Sequence, residues 1–100
     1  MWEFGPGEAS PYHWHAGEEE WLVVLRGTVT LRTPDGERRL GAWDVAVFVR
    51  GPDGAHQIRN DGTEPACVVF FATRNDPDVR VYPDDDAVTV VSGGKVIVRR

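Results

Sequence analysis

The sequence predicts an all-β chain with little or no helix, folded as a barrel or sandwich of short strands. No stretch keeps apolar residues at helical spacing over the roughly ten positions a helix needs. Short runs rich in Val, Ile, Thr and Phe recur instead, punctuated by Gly, Pro and Asp. Hydrophobic residues make up 41% and charged residues 27% of the 100, the balance of a packed domain rather than a disordered chain. That length suits one domain with a modest core, so residues 1–100 are expected to fold together.

Strands are expected at residues 20–25, 28–33, 45–49, 56–59, 66–73, 79–82, 88–91 and 95–98. Thr33-Pro34-Asp35-Gly36 reads as a turn, because Pro presets one φ and Gly permits a positive one. Asn60-Asp61-Gly62-Thr63 reads as another, with Asn60 bonding the nearby backbone. Asp84-Asp85-Asp86 lacks the ligand spacing of a calcium loop and is expected to face solvent.

Bulk properties exclude several partners. The net charge is −5, and the only basic groupings are Arg38-Arg39 and Arg99-Arg100. Nucleic acid, which needs a basic patch, is therefore not expected as a partner. No apolar stretch approaches the roughly 18 residues of a membrane span, so no membrane association is expected. The start, Met1-Trp2-Glu3-Phe4-Gly5-Pro6-Gly7, has neither the basic segment nor the apolar run of a secretory leader, and the expected compartment is the cytoplasm. A lone Cys67 among apolar residues forms no intrachain disulfide and is expected to be a buried, inert thiol.

The chemistry-bearing residues are few. His13 and His15 are separated by one residue, so in a strand both imidazoles project from the same face. Glu20 follows the turn-like Ala16-Gly17-Glu18-Glu19, and His56 lies on a later candidate strand. In a barrel, distant strands can aim side chains at one interior point. Neutral imidazole and carboxylate suit first-row divalent ions. A bare His-x-His is a weak signal taken alone, since a strand histidine is more often at the surface or satisfied in the core.

The flanking residues add to it. Gly7, His13, His15, Glu20 and Gly27 fall at spacings that closely resemble the first signature motif of the cupin superfamily, over residues 7–27. Residues 43–60, with His56 followed after three residues by Asn60, resemble the second motif. The resemblance implies a double-stranded β-helix, a jelly-roll barrel. It also implies one divalent transition metal (Mn, Fe, Ni, Cu, Co or Zn, the sequence not saying which) held by His13, His15, Glu20 and His56. Cupins tolerate three or four residues before their Glu, so Glu19 is an alternative; counting back from Gly27 and the apolar run after Glu20 both favour Glu20. The second motif departs from the family pattern. Trp43-Asp44 stands where Gly-Asp is usual, Val49 replaces a Pro, and Pro52-Asp53-Gly54-Ala55 makes the turn before His56 two residues longer than typical.

If Glu20 faces inward, so do Leu22 and Val24, whereas Trp21, Val23 and Leu25 face outward together with Trp14. A solvated sheet face would be polar. An apolar one marks a partner surface, and a homodimer through Trp14, Trp21, Val23 and Leu25 is expected, unless Trp2, Phe4 or the C-terminal strand covers that face. Tyr12, Phe48, Ile58 and Phe70 are candidates to line the pocket or to pack the core. Four protein ligands on an ion that prefers six leave two positions for a small oxygen-containing molecule. The resemblance then implies dioxygenase, isomerase or decarboxylase chemistry. Because every histidine is taken up as a ligand, any general base is a carboxylate, a Tyr or metal-bound hydroxide, and Glu19 is a candidate catalytic residue. The alternative is a non-catalytic binding or sensing module whose metal anchors a ligand or stabilises the barrel.

Overall fold

In the computed structural model, which describes residues 1–99 and the side chains of residues 1–96, the chain is a succession of eleven strands. They are β1 (Trp2–Phe4), β2 (Trp14–His15), β3 (Glu20–Arg26), β4 (Val29–Thr33), β5 (Gly36–Leu40), β6 (Val45–Phe48), β7 (Gln57–Arg59), β8 (Ala66–Ala72), β9 (Asp78–Tyr82), β10 (Ala87–Ser92) and β11 (Lys95–Arg99). The helical pieces among the described residues are single 3-10 turns at Pro52–Gly54 and Pro83–Asp85. None is long and apolar enough to cross a membrane.

The strands pair antiparallel in three sheets, ordered β1-β8-β3-β6, β11-β10-β9-β2 and β5-β4-β7, rather than in one closed barrel. Period-two patterning drives the first. In β3, Leu22 and Val24 are fully buried while Trp21, Val23 and Leu25 are half-buried, as the inward-facing Glu20 requires. Facing strands add Phe4, Phe48, Ala66 and Val68 to the same core, and Val29, Leu31, Leu40 and Ile58 close it from the third sheet. Cys67 is buried, with its sulfur 3.4 Å from an Arg26 guanidinium nitrogen.

Three strands have no counterpart in the sequence reading: β1, β2 and β5. In β5, Glu37, Arg38 and Arg39 are all exposed, so the strand has no apolar alternation; the Thr33–Gly36 turn simply returns the chain alongside β4. Asn60 behaves as expected and does more. Its Oδ1 accepts from the Gly62 N–H, while its Nδ2 donates to the carbonyls of Phe4 and Glu64. That ties β1 to the turn after β7.

The departures of the second motif become intelligible here. Trp43 sits at φ 71°, a left-handed conformation that glycine adopts freely and a bulky residue resists. The lengthened segment before His56 closes into the 3-10 turn, with the Gly54 N–H on the Gly51 carbonyl and the Ala55 N–H on Pro52. Gly54 packs its Cα directly on the Val49 backbone, so a Cβ there would collide with the Val49 carbonyl.

The apolar outer face is real, but its members differ from those expected. Trp21 is flanked across the sheet by Val47 and Phe71, and Val23 by Val45 and Val69. Val45, Val47 and Phe71 are each more than half exposed, at 59%, 56% and 57%. Trp14 belongs to a different sheet, opposite Val81, and Leu25 falls at a register irregularity between Val24 and Arg26. Trp2 pairs with Val68 on the inward-facing side of β8, so it leaves the outer face uncovered.

Gly54→Ala should lower stability by about 1–3 kcal/mol, the usual cost of forcing extra volume into a packed site. The midpoint of denaturant unfolding checks this; an unchanged midpoint would show that the turn can relax freely.

Candidate metal centre

Three elements bring the histidines and Glu20 together. His13 and His56 form an antiparallel bridge, each N–H donating to the other's carbonyl. His15 lies in β2, two residues on and therefore on the same face as His13. Glu20 opens β3 with its side chain inward, above the buried Leu22. The imidazole centroids of His13 lie 5.0 Å from His15 and 4.7 Å from His56. His13, His15 and Glu20 each bring a ligand atom within 4.8 Å of one another, and His56 Nε2 stands 3.1 Å from Glu20 Oε1.

Hydrogen bonds fix which nitrogen of each ring carries the proton. His13 Nδ1 donates to the Pro11 carbonyl at 2.9 Å and His56 Nδ1 to the Gly54 carbonyl at 2.8 Å. His15 Nδ1 donates to Asp78 Oδ2 at 2.7 Å. A carbonyl or carboxylate oxygen only accepts, so each Nδ1 holds the hydrogen and each Nε2 presents a lone pair. His15 Nε2 and His56 Nε2 both lie 3.1 Å from Glu20 Oε1, yet none of the three buried atoms makes a hydrogen bond. Acceptors have been turned toward an acceptor. Such a cluster is costly unless a cation sits among them, and a divalent metal satisfies all of these lone pairs at once.

The electrostatics differ from group to group. Burial pushes the His13 imidazole down to about 4, against the pull of the Pro11 carbonyl and with help from His56 and His15, which leaves it neutral and ready to ligate. Burial also opposes charging of His15, but Glu20 and Asp78 outweigh it and hold its pKa above the ordinary value. Burial would raise Glu20; the facing His15 and His56 imidazoles instead drive it well below the carboxylate range.

The site opens onto a cavity of about 420 Å³ whose walls include His13, Glu20, His56, Phe70, Arg80 and Tyr82. Of the four residues considered for its lining, Phe70 alone takes that place. Phe48 stacks face to face on His56, centroids 3.7 Å apart, and so holds that imidazole rather than lining the cavity. Ile58 is fully buried in the core. Tyr12 lies under the Arg32 guanidinium, 4.0 Å away, outside the cavity walls. Glu19 is not among the lining or clustered residues; its backbone instead exchanges hydrogen bonds with Thr73.

Sequence reasoning expected a strand at residues 79–82 but missed what its polar face does. Alternation puts Asp78, Arg80 and Tyr82 on one face, and the pairing of His15 with Arg80 makes that face the cavity's. Asp78, 3% exposed, orients His15; Tyr82 stacks on His13 at 5.8 Å. A polar residue at every second position between Val79 and Val81 is the signal that could have found them.

Comparisons with known proteins fit this geometry. The family model described as Cupin domain matches residues 1–72, which includes the four clustered residues and stops short of β9. The tetracenomycin polyketide synthase protein TcmJ of Streptomyces glaucescens is 39% identical over 69 residues, which are 68% of this chain and 44% of that protein. A crystal structure of a cupin-superfamily sugar phosphate isomerase from Silicibacter pomeroyi superposes with a TM-score of 0.91 at 25% identity. One from Acidithiobacillus ferrooxidans, provisionally assigned the same activity, does so at 0.88 and 31%. Each superposition covers 98% of this chain and 62% of the other. The chain thus spans less than two thirds of the length of each of these relatives.

His56→Ala should cut the metal content of purified protein sharply, whereas Glu19→Gln should leave it as in the wild type. Elemental analysis of the two variants decides it: full metal content in His56→Ala, or loss in Glu19→Gln, contradicts this ligand set.

Proposed function

The chain belongs to the cupin domain family, and from that premise we propose that it holds one divalent transition metal through His13, His15, Glu20 and His56 and isomerises a small, oxygen-rich carbonyl compound in the adjoining cavity. The observation that carries the reading is the set of buried, unpaired acceptors turned on Glu20 Oε1 at the cavity wall. The metal, when bound, acts as a Lewis acid on a carbonyl or hydroxyl oxygen. Isomerisation is favoured over dioxygenation and decarboxylation because sugar phosphate isomerase is the activity named, in one case provisionally, for two structures that superpose over 98% of this chain.

The remaining work falls to the chain's own side chains. An aldose–ketose shift takes a proton from one carbon and returns it to the next. Among the cavity-lining groups, Glu8 is engaged by the Gly5 N–H, and Glu3 is 62% exposed and so turned largely to solvent. Tyr82, beside His13, is the phenol that can give and take a proton. Phe70 and Trp2 supply apolar wall that limits water.

Incubation with a panel of aldose and ketose phosphates should give metal-dependent interconversion that chelation abolishes and Tyr82→Phe slows by about 10²–10⁴-fold, the range for a positioned acid–base group. No turnover on the panel by fully metal-loaded protein would contradict the isomerase reading.

We also propose that two copies associate through the outer face of β3, β6 and β8 around Trp21, Val23, Val45, Val47 and Phe71. An exposed apolar face of that extent is the support. Sedimentation should give a dimer for the wild type and a monomer for Val47→Glu; a monomeric wild type would overturn the proposal.

A further inference from the structure

The cavity beside the histidine cluster has in its wall a guanidinium whose buried Nε makes no hydrogen bond. Arg80 lies directly opposite His15 across the β2–β9 pairing, and its side chain lines the same cavity as His13, Glu20 and His56. Its Nε is buried without a hydrogen-bond partner, and the guanidinium makes no hydrogen bond among the described residues. The carboxylate beside it, Asp78, is already committed. Asp78 Oδ2 accepts from His15 Nδ1 at 2.7 Å and Oδ1 from the Gly17 N–H at 3.2 Å, which leaves Arg80 Nε 3.9 Å from Oδ2, beyond hydrogen-bond reach. The side chain is 40% exposed and borders both this cavity and a neighbouring pocket lined by Glu18, Asn75 and Asp78. Several arginines outside it are already bonded: Arg32 to Asp84, Arg59 to Glu37 and Asp61, and Arg50 to the Gly17 carbonyl.

We propose that Arg80 is the anion-recognising residue of this cavity, and that the molecule it takes carries an oxyanion group, carboxylate or phosphate. The inference deepens the proposed function and rests on that reading for the position of the metal, not for the state of Arg80. A planar guanidinium with free N–H donors pairs bidentately with the oxygens of either group, and desolvation inside a cavity strengthens that pairing. Asp78 then serves both ends. It orients His15 on one side and, as a nearby carboxylate, holds the Arg80 side chain toward the cavity on the other. The substrate would be anchored through its anion by Arg80 and through neutral oxygens beside the histidines.

The test titrates inorganic phosphate, and separately malonate, into the purified full-length chain, both as isolated and after removal of metal by chelation. The readouts are the arginine Nε–H signals by NMR and the affinity by calorimetry. Phosphate or malonate should shift the Arg80 Nε–H signal, and preference between the two identifies the anion. Arg80→Gln should weaken binding at least tenfold, Arg80→Lys should retain part of it, and Arg32→Gln should bind as the wild type, all with unchanged metal content. Wild-type affinity in Arg80→Gln overturns the proposal. So does an equal loss in Arg32→Gln, or loss of metal in both Arg80 variants, which would make the residue structural. Chelated protein that still binds phosphate through Arg80 supports this proposal even where the metal reading fails. Metal-loaded protein whose Arg80 ignores both anions overturns this proposal alone.

Discussion

Three imidazoles with their protons pinned on the outward nitrogen, gathered around one carboxylate, are the constraint around which this chain is arranged. The pinning groups are ordinary: the Pro11 and Gly54 carbonyls and the Asp78 carboxylate. Their effect is to remove every donor from the centre. A hydrogen-bonded histidine cluster in a protein interior normally alternates donors and acceptors, because an unpaired buried polar atom costs on the order of 1–3 kcal/mol. Here His15 Nε2, His56 Nε2 and Glu20 Oε1 are all buried and unpaired, an arrangement that makes sense as a preformed cation site.

The fold serves this centre through backbone features that carry little chemistry themselves. The reciprocal bridge between His13 and His56 sets their separation, and the Gly54 turn delivers both the His56 backbone and the carbonyl that fixes its ring. Phe48 then clamps that ring from the core side. The two extra residues before His56 are therefore a device for positioning it rather than a disturbance. A second group, His15, Glu18 and Asp78, also has the composition of a metal site. Its His15 nitrogen is the one donating to Asp78, so a metal there would have to displace a 2.7 Å hydrogen bond. The group reads better as the outer support of the first.

What was legible in the sequence was local. His13 and His15 share a face because a strand has a period of two, and the same parity foretold the buried Leu22 and Val24. Most strands announced themselves through β-branched runs. Gly36–Leu40 did not, because an exposed, charged strand owes its existence to the turn beside it rather than to its own composition. Nor did the polar face of Asp78–Tyr82. Which side of a strand meets a cavity depends on which strand it pairs with, and the pairing of His15 with Arg80 spans most of the chain. The outward face followed the same rule: parity identified Trp21 and Val23, but only pairing revealed Val47, Val45 and Phe71 as their neighbours, and removed Trp14 to another sheet.

The central claim is that one cation occupies the point where the Nε2 atoms and Glu20 converge. Anomalous diffraction from crystals of the purified protein, recorded at the absorption edge of its metal, tests this most directly. The account predicts one peak per chain at about 2.0–2.3 Å from Nε2 of His13, His15 and His56 and from a Glu20 oxygen, with Nδ1 of each ring still bonded outward. A peak bonded instead to His15 Nδ1, Glu18 and Asp78, or no peak at the four-residue cluster in metal-supplied crystals, would contradict it.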